Sequence, residues 1–153
     1  MPDAIVFSCP KWEDIPSIDL YLDQVLILVN EAVAPVIPGQ EKIITSTMVN
    51  NYVKQKLISP TEKKKYSRKQ ITEIIMVTLF KLVLSSAEII TVLSDLDAAF
   101  PTPEEKYSRF IEALAYELGF SSGGSTDSIP ALSSAAVKAV AGKIHFYQVI
   151  ANR

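Results

Sequence analysis

The sequence predicts an all-α protein of about six helices with at most a small β-hairpin wing. Three observations point there. Apolar residues recur every three or four positions through most of the chain. Three strings, Ser67–Gln70, Ser85–Glu88 and Thr102–Glu105, have the Ser/Thr-x-x-Glu/Gln form of a helix-starting capping box. Strand signals are weak everywhere.

Residues 1–16 read as an irregular lead-in with three prolines, anchored near Trp12 and Ile15. Ser17 is placed to cap a first helix, with Asp19 at its positive end. That helix would carry Ile18, Tyr21, Leu22, Val25, Val29, Ala32 and Val33 on one side, and Pro35, Pro38 and Gly39 would stop it. A short second helix fits Ser46 to about Leu57. Val49, Tyr52, Val53 and Leu57 lie on one side of it, and Thr47, Asn50, Asn51 and Lys54 on the other.

Pro60 ends that helix, and Ile58 to Tyr66 form a compact polar excursion suited to a small hairpin or wing. Ser67 and Gln70 then start a helix that is apolar nearly all round, with Ile71, Ile74, Ile75, Val77, Leu79 and Phe80, so it should be the central buried one. Ser85 and Glu88 start the next. Thr102 and Glu105 start another, with Pro103 at its favoured first position and Gly119 as its C-terminal cap. Ser121 to Ser128, around Gly123-Gly124, reads as a flexible loop. A last helix runs from about Pro130 to Ile150, where Ala136, Ala139 and Gly142 permit close approach of another helix.

The chain has 153 residues and 48% hydrophobic content, enough to bury a core without staples. A single cysteine, Cys9, excludes an internal disulfide, and a single histidine, His145, excludes a multi-histidine zinc site. No catalytic constellation forms around them, and Asp95 and Asp97 are two residues apart and do not share a helix face. The reading is therefore of a protein that is not an enzyme and uses neither metal nor cofactor. No leader and no membrane span is recognisable, and the longest apolar run is Val25–Val29, so a cytoplasmic address is expected.

Charge is the informative feature. Residues 40–70 carry eight basic and two acidic side chains, a net of +6, whereas the other 122 residues carry seven basic and fifteen acidic, a net of −8. A basic block on an acidic body suggests one contact surface for an anion. Asparagine can bond adenine N6 and N7 together, so Asn50 and Asn51 are candidate base readers. Lys54, Lys56, Lys63, Lys64, Lys65 and Arg68 would sit on phosphates, and Thr47 lies near a helix N-terminus that favours an anion. The same block would also serve a protein-interaction adaptor with an acidic partner.

The order of these parts resembles the DNA-binding core of MerR-type winged-helix regulators. Val49, Tyr52, Leu57, Ile58 and Pro60 match the end of that pattern's recognition helix. Lys64-Lys65-Tyr66-Ser67 sits where wing and next cap would be, and Ser85-Ser86-Ala87-Glu88-Ile89 matches the start of the following helix. In that pattern a glycine usually follows the recognition helix; here it is Lys56. A basic residue usually precedes the aromatics; here it is Asn50. The strings Ile15–Tyr21, Thr47–Lys54 and Lys63–Ser67 also resemble a bacterial family, the domain of unknown function 1836. These resemblances imply a winged helix-turn-helix module over residues 12–97, and the helices after it, 98–153, read as a C-terminal helical extension. They imply a transcriptional regulator whose partner is duplex DNA. A homodimer through the C-terminal helices is the further expectation.

Overall fold

The computed structural model describes residues 9–37, 42–120 and 126–153. Pro38, Gly39 and Gly123-Gly124, expected at helix and loop breaks, lie outside the described residues, as does the lead-in before Cys9.

Six α-helices and one two-stranded antiparallel sheet make up the described structure. The elements are β1 (Leu20–Tyr21), α1 (Leu22–Val33), α2 (Ser46–Lys54), β2 (Lys65–Tyr66), α3 (Arg68–Phe80), α4 (Ser86–Ala99), α5 (Pro103–Glu117) and α6 (Ala131–Ala151), with single 3-10 turns at Trp12–Asp14 and Thr126–Ser128. The expected all-α class with a small β wing is what the structure has.

α3 is the hub. Every residue from Gln70 to Phe80 is buried, because apolar residues on all sides of the helix carry the polar Gln70, Thr72, Glu73 and Thr78 in with them. It packs against α1, α5 and α6. Phe80 meets Phe110 of α5 in a tilted ring pair with centroids 5.1 Å apart. The core cluster runs from Cys9 and Ile15 through α3 to Ile144.

The expected caps at Ser67 and Ser85 form. The Ser67 N–H donates to Gln70 Oε1 at 2.8 Å, and the Ser85 N–H to Glu88 Oε1 at 2.8 Å. The hydrogen bonds from the Ser85 N–H and hydroxyl hold the Glu88 carboxyl below its ordinary pKa. At the third site Thr102 Oγ1 accepts from the Glu105 N–H at 3.1 Å, which is the forward half of the box. Gly119 closes α5 at φ +82°.

The first helix departs from expectation. Ser17 does not cap it. Residues 20–21 are extended because they pair with β2, Leu20 opposite Tyr66 and Tyr21 opposite Lys65. α1 therefore starts at Leu22, with the Tyr21 N–H donating to Gln24 Oε1 at 3.0 Å, and Ile18 is left 70% exposed. The segment from Cys9 to Ile15 is docked on the body. The Tyr107 hydroxyl donates to the Pro10 carbonyl at 2.7 Å, Cys9 and Ile15 are buried, and burial pushes the Cys9 thiol up to about 12. A thiol in that state stays protonated and is a poor nucleophile near neutral pH. Thr126 also belongs to the body, its hydroxyl donating to Glu117 Oε1 at 2.6 Å.

Candidate nucleic-acid interface

α2 presents the two faces its spacing predicts. Ser46, Thr47, Asn50, Asn51 and Lys54 are exposed, Val49 and Tyr52 are buried, and Val53 is half-buried. The cap is Thr45, whose Oγ1 accepts from the Met48 N–H at 3.3 Å, which leaves the hydroxyls of Ser46 and Thr47 outside the capping bond.

The helix is held at both ends. At its start, Asn30 of α1 uses its whole carboxamide on the incoming link. Oδ1 accepts from the Ile43 and Ile44 N–H groups at 2.8 and 3.0 Å. Nδ2 donates to the Leu26 and Ile44 carbonyls at 2.8 and 3.1 Å. At its end, the Ser86 hydroxyl donates to Gln55 Oε1 at 2.9 Å and accepts from Lys81 Nζ at 2.6 Å. The Lys81 ammonium also lies 6.0 Å from the Tyr52 ring centroid. A helix fixed at both ends by side chains of α1, α3 and α4 holds its outer face at a defined angle.

α2 terminates in a Schellman closure. The Leu57 N–H donates to the Tyr52 carbonyl at 2.9 Å and the Lys56 N–H to the Val53 carbonyl at 3.1 Å. This puts Lys56 at φ +62°. The end of α5 makes the same closure, Phe120 N–H to Ala115 and Gly119 N–H to Tyr116, but with a glycine at the left-handed position. A side chain there costs about 1 kcal/mol relative to glycine.

Beyond Pro60 the chain makes a second such departure. The Lys65 N–H donates to the Glu62 carbonyl at 3.0 Å across Lys63 and Lys64, whose φ values are +51° and +60°. Two positive φ angles at the centre mark the mirror-image turn of tight hairpins, where Asn-Gly is the preferred pair. Lys56, Lys63 and Lys64 are the non-glycine residues with positive φ among the described residues, and all three are exposed.

The wing also differs from a purely local hairpin. Only the Glu62–Lys65 bridge is local, and the lasting partner of β2 is β1, some 44 residues earlier. Its root is tied to α3. Glu73 accepts from the Ser59 N–H at 2.7 Å and from the Ser59 hydroxyl at 2.8 Å. Gln70 Nε2 donates to the Ser59 and Pro60 carbonyls at 3.3 and 2.6 Å. Neither Glu73 nor Asn30 stands out from composition. The available signal is positional, polar side chains within helical stretches that are otherwise mostly apolar.

The basic residues divide by engagement. Lys54, Lys56, Lys63 and Lys64 are exposed and make no ion pair among the described residues. Lys65 is half-buried, its ammonium 5.2 Å from the Tyr21 ring centroid. Arg68 is committed inward. Its Nε donates to the Ile15 carbonyl at 3.1 Å and its guanidinium lies 5.2 Å from the Trp12 ring centroid. Lys54 and Lys56 also edge a groove of about 590 Å³ lined by Ser59, Ile90 and Leu93.

Other polar groups serve the fold. Asp95 caps α6 by accepting from the Ser133 N–H at 3.3 Å and from the Ser133 hydroxyl at 2.6 Å, and Asp97, which lines the same groove as Lys54 and Lys56, pairs with Lys106 at 2.7 Å. No group of three or more metal-ligating side chains occurs among the described residues, and no helix among them is long and apolar enough to cross a membrane.

The family model described as Domain of unknown function (DUF1836) matches residues 10–113, about two thirds of the chain. No curated protein and no solved structure matched it.

Proposed function

The chain belongs to the DUF1836 family, and we propose that it binds duplex DNA as a transcriptional regulator with a MerR-like winged helix-turn-helix core. α2 is the reading helix, and the turn at Lys63-Lys64 is the wing. The observation that carries this is the set of left-handed lysines. Glycine would relieve Lys56 and Lys64 of backbone strain, and asparagine would ease Lys63, yet lysine occupies all three positions. Strain kept at exposed cations is explained by what those cations hold, and closely spaced anionic groups are what such a set fits.

In this reading Lys54, Lys56, Lys63 and Lys64 bind phosphates and set affinity, Lys65 supports the wing from Tyr21, and Arg68 braces the module against Ile15 and Trp12. Asn50 and Asn51 read base edges, and Thr47 sits at the helix start near the backbone. The body carries the excess acid, which orients the basic face toward the duplex. A homodimer would present two such modules to a two-part site.

Single substitutions on α2 separate reading from holding. On a duplex selected from a random pool, Asn51→Ala or Asn50→Ala should cost about 1–3 kcal/mol in fluorescence-anisotropy titrations and little on random duplex. Lys54→Ala should weaken both about equally. Equal losses on selected and random duplex for both asparagine variants would remove the reading role and favour an adaptor surface for an acidic protein partner.

A further inference from the structure

α6 is packed on one side only. Ser133, Ala136, Val137, Val140, Ala141 and Ile144 face the body, against α3, α4 and α5. Ala136 therefore serves the intrachain contact. Ala139, Gly142 and Phe146 do not: they lie on the outer face with Leu132, Ala135 and Val149. The intervals along this outer set are three, four, three, four and three residues, which is the seam spacing of paired helices. It is narrower than the stripe a helix turns toward a globular core. Leu132, Phe146 and Val149 are each about half exposed.

Gly142 supplies a second, independent observation. A Cβ added there would meet nothing within 4 Å, so packing inside the chain gives no reason for glycine in mid-helix, where it weakens the helix relative to alanine. Close approach of something from outside does give a reason.

We propose that this outer face of α6 pairs antiparallel with α6 of a second copy, about a two-fold axis passing between Ala139 and Gly142. The size order along the seam selects this occupant. Reversing the stripe about that midpoint sets Leu132 opposite Val149 and Ala139 opposite Gly142. It also sets the large Phe146 opposite the small Ala135. The face is complementary to itself, as an isologous contact requires. The seam residues carry no charge. Lys143 is drawn along its own helix, its ammonium 5.4 and 5.3 Å from the Phe146 and Tyr147 ring centroids. A specific interface needs to clear about 1,000 Å² in total, and one exposed helix stripe stands at the small end of that scale, so the association is reversible. The proposal is independent of the DNA reading, and its test contains no DNA.

Sedimentation equilibrium of the full chain at micromolar concentrations should give a reversible monomer–dimer equilibrium. Ala139→Glu, on the exposed face, should leave the helical circular dichroism unchanged and weaken association by about a hundredfold. For register, Ala139→Cys and Gly142→Cys proteins are oxidised separately and mixed; Cys9 is buried and stays silent. Antiparallel pairing gives crosslinked dimer in the mixture and little from either alone. A wild-type protein that stays monomeric, or a dimer indifferent to Ala139→Glu, overturns the proposal. Efficient crosslinking of each variant with itself and none across the mixture overturns the register.

Discussion

Replacing Lys63 with Asn and Lys64 with Gly together is expected to make the protein more stable and a weaker DNA binder at once. Both lysines occupy the left-handed region at the centre of a two-residue turn. An L residue with a Cβ pays about 1–2 kcal/mol there, and Asn-Gly is the pair that pays least. The double variant should gain about 1–3 kcal/mol in urea unfolding. The wing's shape is retained, since the Glu62–Lys65 bond and the β1–β2 pairing do not involve these side chains. Removing two phosphate contacts should nevertheless weaken binding to any duplex and flatten the salt slope by about 2. A stability gain with unchanged DNA binding would mean that the wing lysines do not touch the backbone. A stability loss would mean that the turn is held by contacts these lysines make.

Asn30→Asp is expected to be the most damaging single change near the interface. The side chain is almost isosteric, but its second oxygen replaces the amide that donates to Leu26 and Ile44. Two carbonyl oxygens, 2.8 and 3.1 Å from that position, would then face a carboxylate. Both hydrogen bonds become repulsions in a half-buried place. The cost should be about 2–4 kcal/mol at neutral pH, with a melting point lower by roughly 5–15 °C. The deficit should shrink as pH falls and the carboxyl protonates, because an O–H can then donate to one carbonyl. DNA binding should fall further than stability alone dictates, since Asn30 fixes the link that aims α2. A loss of less than about 1 kcal/mol at neutral pH would show that the link is held by other contacts.

Local chemistry made most of the helices legible. Ser67–Gln70 and Ser85–Glu88 start helices because each satisfies two orphan backbone donors within four residues. Gly119 ends one because a left-handed residue there needs no Cβ. The apolar residues on every side of Ile71–Phe80 could be satisfied only at the centre of the molecule. What local pattern could not supply was anything depending on a distant partner. Ser17 has the chemistry of a cap, but Leu20 and Tyr21 are drawn into extended pairing by Tyr66 and Lys65, so the helix starts later. Arg68 has the charge of a phosphate contact, but Ile15 and Trp12, more than fifty residues away, engage it.

The candidate site was legible as a face and a charge block, not as a construction. Thr47, Asn50, Asn51 and Lys54 fall together by helical spacing alone. Lys56 stands where the resembling pattern has glycine, and its φ of +62° gives the physical reason glycine suits that place, which the departure alone did not show. Asn30, Gln70 and Glu73, which hold the reading helix and the wing root, bond to backbone groups ten or more residues away, and single-residue chemistry does not show this. The outer stripe of α6 was seen as small residues in the sequence. Its division into a buried Ala136 and an exposed Ala139–Gly142–Phe146 required the packing of α4 and α5.

The measurement that bears most directly on the central reading is a duplex-DNA titration of the full wild-type chain across salt, using a pool-selected duplex and a random one. On both duplexes log K should fall linearly with log salt, with a slope near −4 for four phosphate-bound lysines. Binding to the selected duplex should be tighter by about a thousandfold or more. No binding at low salt, or binding that salt does not weaken, would contradict that reading.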